Sequence, residues 1–273
     1  MKKIFILLCF AFVVISNAHE SKTPEAITST KIDEHLTFIS GSGGNSVILE
    51  GDNAVLLIDT KMAGGVNALY DYVMQIAKNK KLIVVNTHYH IDHISGNAKY
   101  QGARIIAGGY EKTDWTEANG EVNLPTEFLK DSMLLKIGDE EVLITNIGRA
   151  HTRGDIFVYM KKRKLLVSGD VILNKVYPVL IKEMGADTRM YISKINDFIE
   201  HHQINNVVPG HGNYGDIKVI YNFTEYLYSL PLGANNKSIK EELRLKYSDW
   251  HEVPGYSSFD KNIEFVKGEL DTE

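Results

Sequence analysis

The sequence predicts an α/β layered fold. Three observations point there. Residues 82–85, Leu-Ile-Val-Val, form a short unbroken apolar run closed by Asn86, the pattern of a buried strand. Residues 65–77 before it carry Val66, Leu69, Tyr70, Val73 and Ile76 at helical spacing, and a helix between two apolar strands is the repeating unit of an α/β layer. A dense group of metal-ligand side chains follows Asn86 directly, at the end of a strand, where such folds place their sites.

The elements follow in order. Residues 1–18 read as a secretory signal peptide: Lys2 and Lys3 give a positive start, 4–15 is apolar but short for a membrane span, and Ser16-Asn17-Ala18 offers a cleavage point after Ala18. The competing reading is an uncleaved anchor. Cys9 does not make a lipidation site, because Leu8 is too large and the apolar run continues past it. Residues 19–273 then form a single domain, beginning with a polar, loosely held lead-in over 19–33.

Residues 36–40, 46–50 and 54–59 read as three short strands, with turns at Gly41-Ser42-Gly43-Gly44-Asn45 and Gly51-Asp52-Asn53. A further strand candidate spans 104–107. Residues 133–137 and 141–147 alternate as a hairpin around Gly138-Asp139-Glu140, and 156–161 with 164–168 make a second around a basic turn, most simply a solvated loop. Helices are expected over 190–201, 217–230, 238–245 and 259–270, with a short strand from Asn206. His201 and His202 fall at a helix end and read as structural, as does His251. Residues 110–130 lack clean periodicity.

The chemistry concentrates in Thr87-His88-Tyr89-His90-Ile91-Asp92-His93. In extended backbone, residues two apart point to one side, so His88 and His90 can grip one cation together. Asp92 and His93 come where the chain turns and can face a second cation close by. Imidazole and carboxylate suit zinc, with iron or manganese as alternatives. A polar loop whose histidines merely cap a strand would not gather so many ligand types.

His-x-His-x-Asp-His after an apolar strand resembles the signature of the metallo-β-lactamase superfamily. The resemblance implies an αββα sandwich with two metals at one edge. Downstream, Gly148-Arg149-Ala150-His151-Thr152-Arg153-Gly154 is similar to the family's His-Thr-Pro-Gly motif, with Arg153 where proline is usual. Gly169-Asp170 and Pro209-Gly210-His211-Gly212 fit the two remaining motifs. Carried across, His88, His90 and His151 hold the first metal; Asp92, His93 and His211 hold the second; Asp170 bridges them. Some β-lactamase members have cysteine or serine in place of that aspartate, which weakens the case for β-lactams as natural substrates. For Asp59 the resemblance implies support of the metal loops from behind, while the residues alone allow a turn or cap role equally well. Over 110–130 it implies a pocket wall, with Tyr110 and Trp115 as candidate aromatics; simple packing is the commoner role.

Composition narrows the rest. The 273 residues are 44% hydrophobic with a net charge of −5, enough for one sizeable core. Loss of the leader would move the charge to about −7 and remove the one cysteine, leaving no disulfide or thiol chemistry. An acidic surface gives no support for nucleic-acid binding. The expected protein is a periplasmic or secreted hydrolase with two zinc ions and a small-molecule substrate, without a stable membrane anchor after leader cleavage. A water between the cations would lose its proton near neutral pH and attack a lactam, lactone, ester or thioester carbonyl, with Asp92 relaying a proton. Phosphodiester cleavage, a mononuclear iron oxidoreductase acting on sulfur compounds, and a noncatalytic binding protein are the alternatives. The sequence leaves the oligomeric state open.

Overall fold

The computed structural model describes residues 26–109, 115–116 and 124–272. The leader and Tyr110 lie outside the described residues. Thirteen strands are described, in two sheets. In the first, β1 (Thr28–Lys31), β2 (Leu36–Ser40), β3 (Ser46–Glu50) and β4 (Ala54–Ile58) pair antiparallel. Three strands continue that sheet in parallel: β5 (Lys81–Asn86), β6 (Arg104–Gly108) and β7 (Glu127–Leu129). In the second sheet, β8 (Ser132–Ile137), β9 (Glu140–Gly148), β10 (Asp155–Met160) and β11 (Leu165–Val167) are antiparallel. β12 (Asn206–Val208) joins β11 in parallel, and β13 (Gly215–Asp216) closes the far side.

Alternation along each strand divides the side chains between two faces. Leu56 and Ile58 of β4 meet Ile156 and Val158 of β10 in the core between the sheets. Val55 and Leu57 point outward and are covered by Leu69 and Val73 of α1 (Val66–Ala77). Phe157 and Tyr159 of β10 point out on the other side, under α3 (Thr188–His201) and α4 (Lys218–Asn235). The layers are therefore αββα, as the resemblance implied. α5 (Lys237–Lys246) and α6 (Phe259–Leu270) pack against α4, while α2 (Ile91–Ile94) is a single turn within the ligand motif.

Four expectations need correction. The lead-in is not loose throughout: Thr28–Lys31 pairs with β2, held by backbone hydrogen bonds although all its side chains are exposed. Residues 127–129 form a strand that no apolar pattern announces. The basic turn after β10 is not simply solvated, because Arg163 donates to Asp33 (2.7 Å) and to the buried Glu140 (2.6 Å). α4 runs on through Pro231 to Asn235, since burial of Leu230 and Gly233 outweighs the hydrogen bond that proline cannot make.

Candidate metal centre

The site lies at one edge of the sandwich, where loops from both sheets meet. β5 ends at Asn86, and His88 and His90 stand on the irregular segment beyond it, His88 in a bend. His90 precedes α2, whose turn carries Asp92 and His93. His151 follows β9, Asp170 follows β11 in a short 3-10 turn, and His211 follows β12. The structure brings all seven together. His88, His90, His151 and Asp170 form one group with ligand atoms within 4.8 Å of one another; Asp92, His93 and His211 form a second.

Asp170 joins them. Its Oδ1 lies 3.1 Å from His93 Nε2, and its Oδ2 lies 3.5 Å from both His151 Nε2 and His211 Nε2. Asp92 Oδ2 is 3.1 Å from His211 Nε2. The Nε2 atoms of His88 and His90 are buried without a hydrogen-bond partner among the described residues. Buried polar atoms are rarely left so, and convergent imidazole nitrogens around a carboxylate are the donor set of a divalent cation. The residues fit two such ions.

Electrostatics separates the two groups. Burial, reinforced by neighbouring imidazoles, holds His88 well below the usual imidazole pKa and His151 at about 3, so both are neutral. Burial opposes charge on His93 as well, but Asp92, Asp170 and Asp59 outweigh it and raise its pKa. His211 is raised against burial by Asp170 and Asp92. Burial likewise works against ionisation of Asp92 and Asp170, yet the facing imidazoles keep both carboxylates ionised.

Surrounding residues fix these side chains. Asp59 leaves β4 at φ 59° and turns its carboxylate under the motif: Oδ2 is 2.7 Å from His93 Nδ1, while Oδ1 accepts from Thr87 N at 2.8 Å. The support role, left open by the residues alone, is where the structure places it. A Cβ at Gly44 would fall within the His93 ring, and one at Gly210 would collide with Asp170 Oδ1. The glycines therefore let two loops close over the candidate ligands. Asn45 locks those loops together through Nδ2 to Pro209 O (2.9 Å) and Gly212 O (2.7 Å).

Two supporting residues escaped the sequence reading. Lys61 is fully buried behind the site, donating from Nζ to Ile39 O (2.9 Å) and Gly44 O (2.5 Å). Burial pulls its pKa down to about 7 against the attraction of Asp59 and Asp92. Tyr191 on α3 places its hydroxyl 2.5 Å from His151 Nδ1. If Nε2 is the ligand atom, Nδ1 carries the proton and donates to that hydroxyl. Neither residue belongs to a spacing pattern; only the fold brings them to the site. Trp115 packs behind Tyr89 and against Phe128 (ring centroids 6.2 and 6.0 Å), so it is a packing residue and not a pocket wall. Backbone pairing of His251 with Val176 likewise gives that histidine a structural place.

A cavity of about 300 Å³ opens beside Asp92, Asp170 and His211.

The comparisons agree with this geometry. The family model of the Metallo-beta-lactamase superfamily matches residues 39–211. The human acyl-coenzyme A thioesterase MBLAC2 is 24% identical over 211 residues, covering 64% of this chain and 75% of the relative. A metallo-beta-lactamase type 2 from Bacillus cereus is 25% identical over 193 residues, covering 68% and 74%. Among solved structures, a metallo-beta-lactamase from Pontibacter korlensis superposes with a TM-score of 0.63 at 20% identity, over 74% of this chain and 99% of its own. The sec-alkylsulfatase Pisa1 from Pseudomonas sp. gives 0.63 at 16% identity, over 88% and 50%. Motif order, fold and family match lead to one conclusion: the chain belongs to the metallo-β-lactamase superfamily.

Proposed function

We propose that the protein is a periplasmic or secreted hydrolase that uses two zinc ions to cleave a carbonyl bond in a small molecule: a lactam, lactone, ester or thioester. The observation that carries this reading is the pair of ligand groups joined by Asp170 at the floor of a cavity. Relatives named as a thioesterase and as β-lactamases support acyl transfer to water. The complete second group, Asp92, His93 and His211, favours a dinuclear centre over a single iron.

His88, His90 and His151 would hold one ion and Asp92, His93 and His211 the other, with Asp170 between. Bound there, the ions would supply an acidified water and a Lewis acid for the carbonyl oxygen. The protein's own part is placement. Asp59 and Tyr191 fix the ring planes of His93 and His151, and the Gly44 and Gly210 loops hold the ligand groups at their separation. In the net reaction, water oxygen bonds to the carbonyl carbon, the bond to the leaving group breaks, and one water proton ends on the leaving group. Asp92 lines the cavity, which supports it as the group that carries that proton.

Metal content of the mature protein, paired with a panel of a chromogenic β-lactam, a lactone and a thioester, tests the reading. Two zinc ions per chain with turnover of one panel member is the expected result. One iron per chain, no hydrolysis and oxygen uptake on a persulfide would replace it with the oxidoreductase. Asp92→Asn that keeps both metals should lose roughly 100-fold or more in kcat; full turnover in that variant would remove the relay.

A further inference from the structure

A lysine is almost never buried without partners, because its ammonium loses more hydration than an apolar interior returns. Among the described residues Lys61 is the one lysine buried outright. Its backbone is costly as well: Lys61 sits at φ +70°, in the left-handed region that residues with a Cβ rarely adopt. Two such costs on one residue point from the outlier to a role.

The ammonium closes a loop. Nζ donates to Ile39 O (2.9 Å), near the end of β2, and to Gly44 O (2.5 Å), within the glycine-rich loop 41–45. The second ligand group converges on that loop. Gly44 N donates to Asp92 O at 3.2 Å, and a Cβ at Gly43 would meet Asp92 Cβ at 2.9 Å. The His93 ring fills the space that a Cβ at Gly44 would need. Asn45 N donates to Gly210 O at 2.7 Å, and its side chain donates to Pro209 O and Gly212 O, on either side of His211. The segment of Lys61 itself grips the same turn: Thr60 N donates to His93 O at 2.6 Å, and Ser95 N to Lys61 O at 3.1 Å. Imidazoles of the first group lean on other residues. His88 Nδ1 lies 3.1 Å from Thr87 Oγ1, and His151 Nδ1 lies 2.5 Å from the Tyr191 hydroxyl.

We propose that Lys61 is a positioning residue for the second ion alone: its ammonium keeps the glycine loop closed, and the closed loop sets the separation of Asp92, His93 and His211. The proposal rests on the two-ion reading above and names the residue that shapes one of the two sites. Charge and anchoring have opposite signs here. The ammonium is within electrostatic reach of Asp92, and a buried cation repels a metal ion nearby. A lysine acting through its charge would weaken the second ion, so its removal would tighten binding. Removal of an anchor loosens it.

Zinc retained by the loaded full chain against graded concentrations of a chelator reads the two sites in turn, and His211→Ala marks which step belongs to the second. Lys61→Met, similar in length but without donors, should lower the affinity of that step roughly tenfold to 100-fold and leave the other step unchanged. Asn45→Ala, which frees the loop from its far side, should shift the same step in the same direction. Should Lys61→Met fail to fold, Lys61→Gln decides on the same readout: it keeps a donor, and the same one-sided loss is expected in smaller measure. A second step that is unchanged or tighter in the Lys61 variant, or both steps weakened equally, would overturn the proposal while leaving the two-ion hydrolase standing. So would an Asn45 variant that leaves the second step alone, because the loop would then carry no connection. A parent chain that holds one ion overturns the two-ion reading and the proposal with it, before any variant is compared.

Discussion

Tyr191 shows how a residue outside every motif can set the chemistry of one inside it. Its hydroxyl meets His151 Nδ1, and both side chains are fully buried. Tyr191→Phe should lower affinity for the metal proposed at His88, His90 and His151 by about tenfold to 100-fold. Competition with a chromophoric chelator reads that loss; a purely structural tyrosine would lower Tm and leave the affinity alone. The seven ligand candidates were legible because divalent-cation chemistry admits few side-chain types and the chain places them at strand ends. Lys61 and Tyr191 were not. A lysine after Asp59-Thr60 looks like any surface lysine until Ile39 O and Gly44 O are seen to surround it.

At the scale of elements, strands with an apolar face were readable and strands held by backbone alone were not. β2, β3 and the last helix fall where the short apolar runs between turn residues and the helical spacing put them. β1, Thr-Ser-Thr-Lys, buries nothing, so its pairing with β2 leaves no trace in hydropathy. α5 and α6 are joined by Arg244, which donates to Asp260 Oδ1 and Oδ2 at 2.7 and 2.8 Å, with Lys240 at 2.8 Å. Hydrogen bonds from Arg244 and Lys240 hold the Asp260 pKa below its ordinary value. A depressed carboxylate stabilises the fold above its unfolded pKa of about 3.9. That contribution is lost as pH falls through the lower, folded value. The pair is half exposed, so the effect is on the order of 1 kcal/mol or less. Asp260→Asn should therefore lower Tm slightly at pH 7 and converge with the parent chain in strong acid, as a melting series across pH would record.

For the molecule as a whole, the two sheets and the candidate metals depend on one another. His88, His90, Asp92 and His93 hang from the first sheet; His151, Asp170 and His211 hang from the second. Ions bound across that seam would oppose separation of the layers. With free zinc at 1,000 times its Kd, the stabilisation is about 4 kcal/mol, or roughly 10 °C in Tm for a chain of this size. Removal by a chelator should lower Tm by that amount and readdition should restore it, followed by calorimetry.

The Asn45 brace carries a consequence for how the protein matures. Its bonds to Pro209 O and Gly212 O span 164 and 167 positions of the chain, and His90 meets His151 across 61. Contacts so distant in sequence form late, after loop closure has been achieved elsewhere. Each ligand group is completed only by residues of the second half of the chain, His151 and Asp170 in one and His211 in the other. In refolding experiments zinc should slow unfolding while leaving the folding rate untouched, the signature of an interaction absent from the transition state. Cofactor supply would then be governed by whichever compartment the chain finishes folding in, not by the one where it is synthesised.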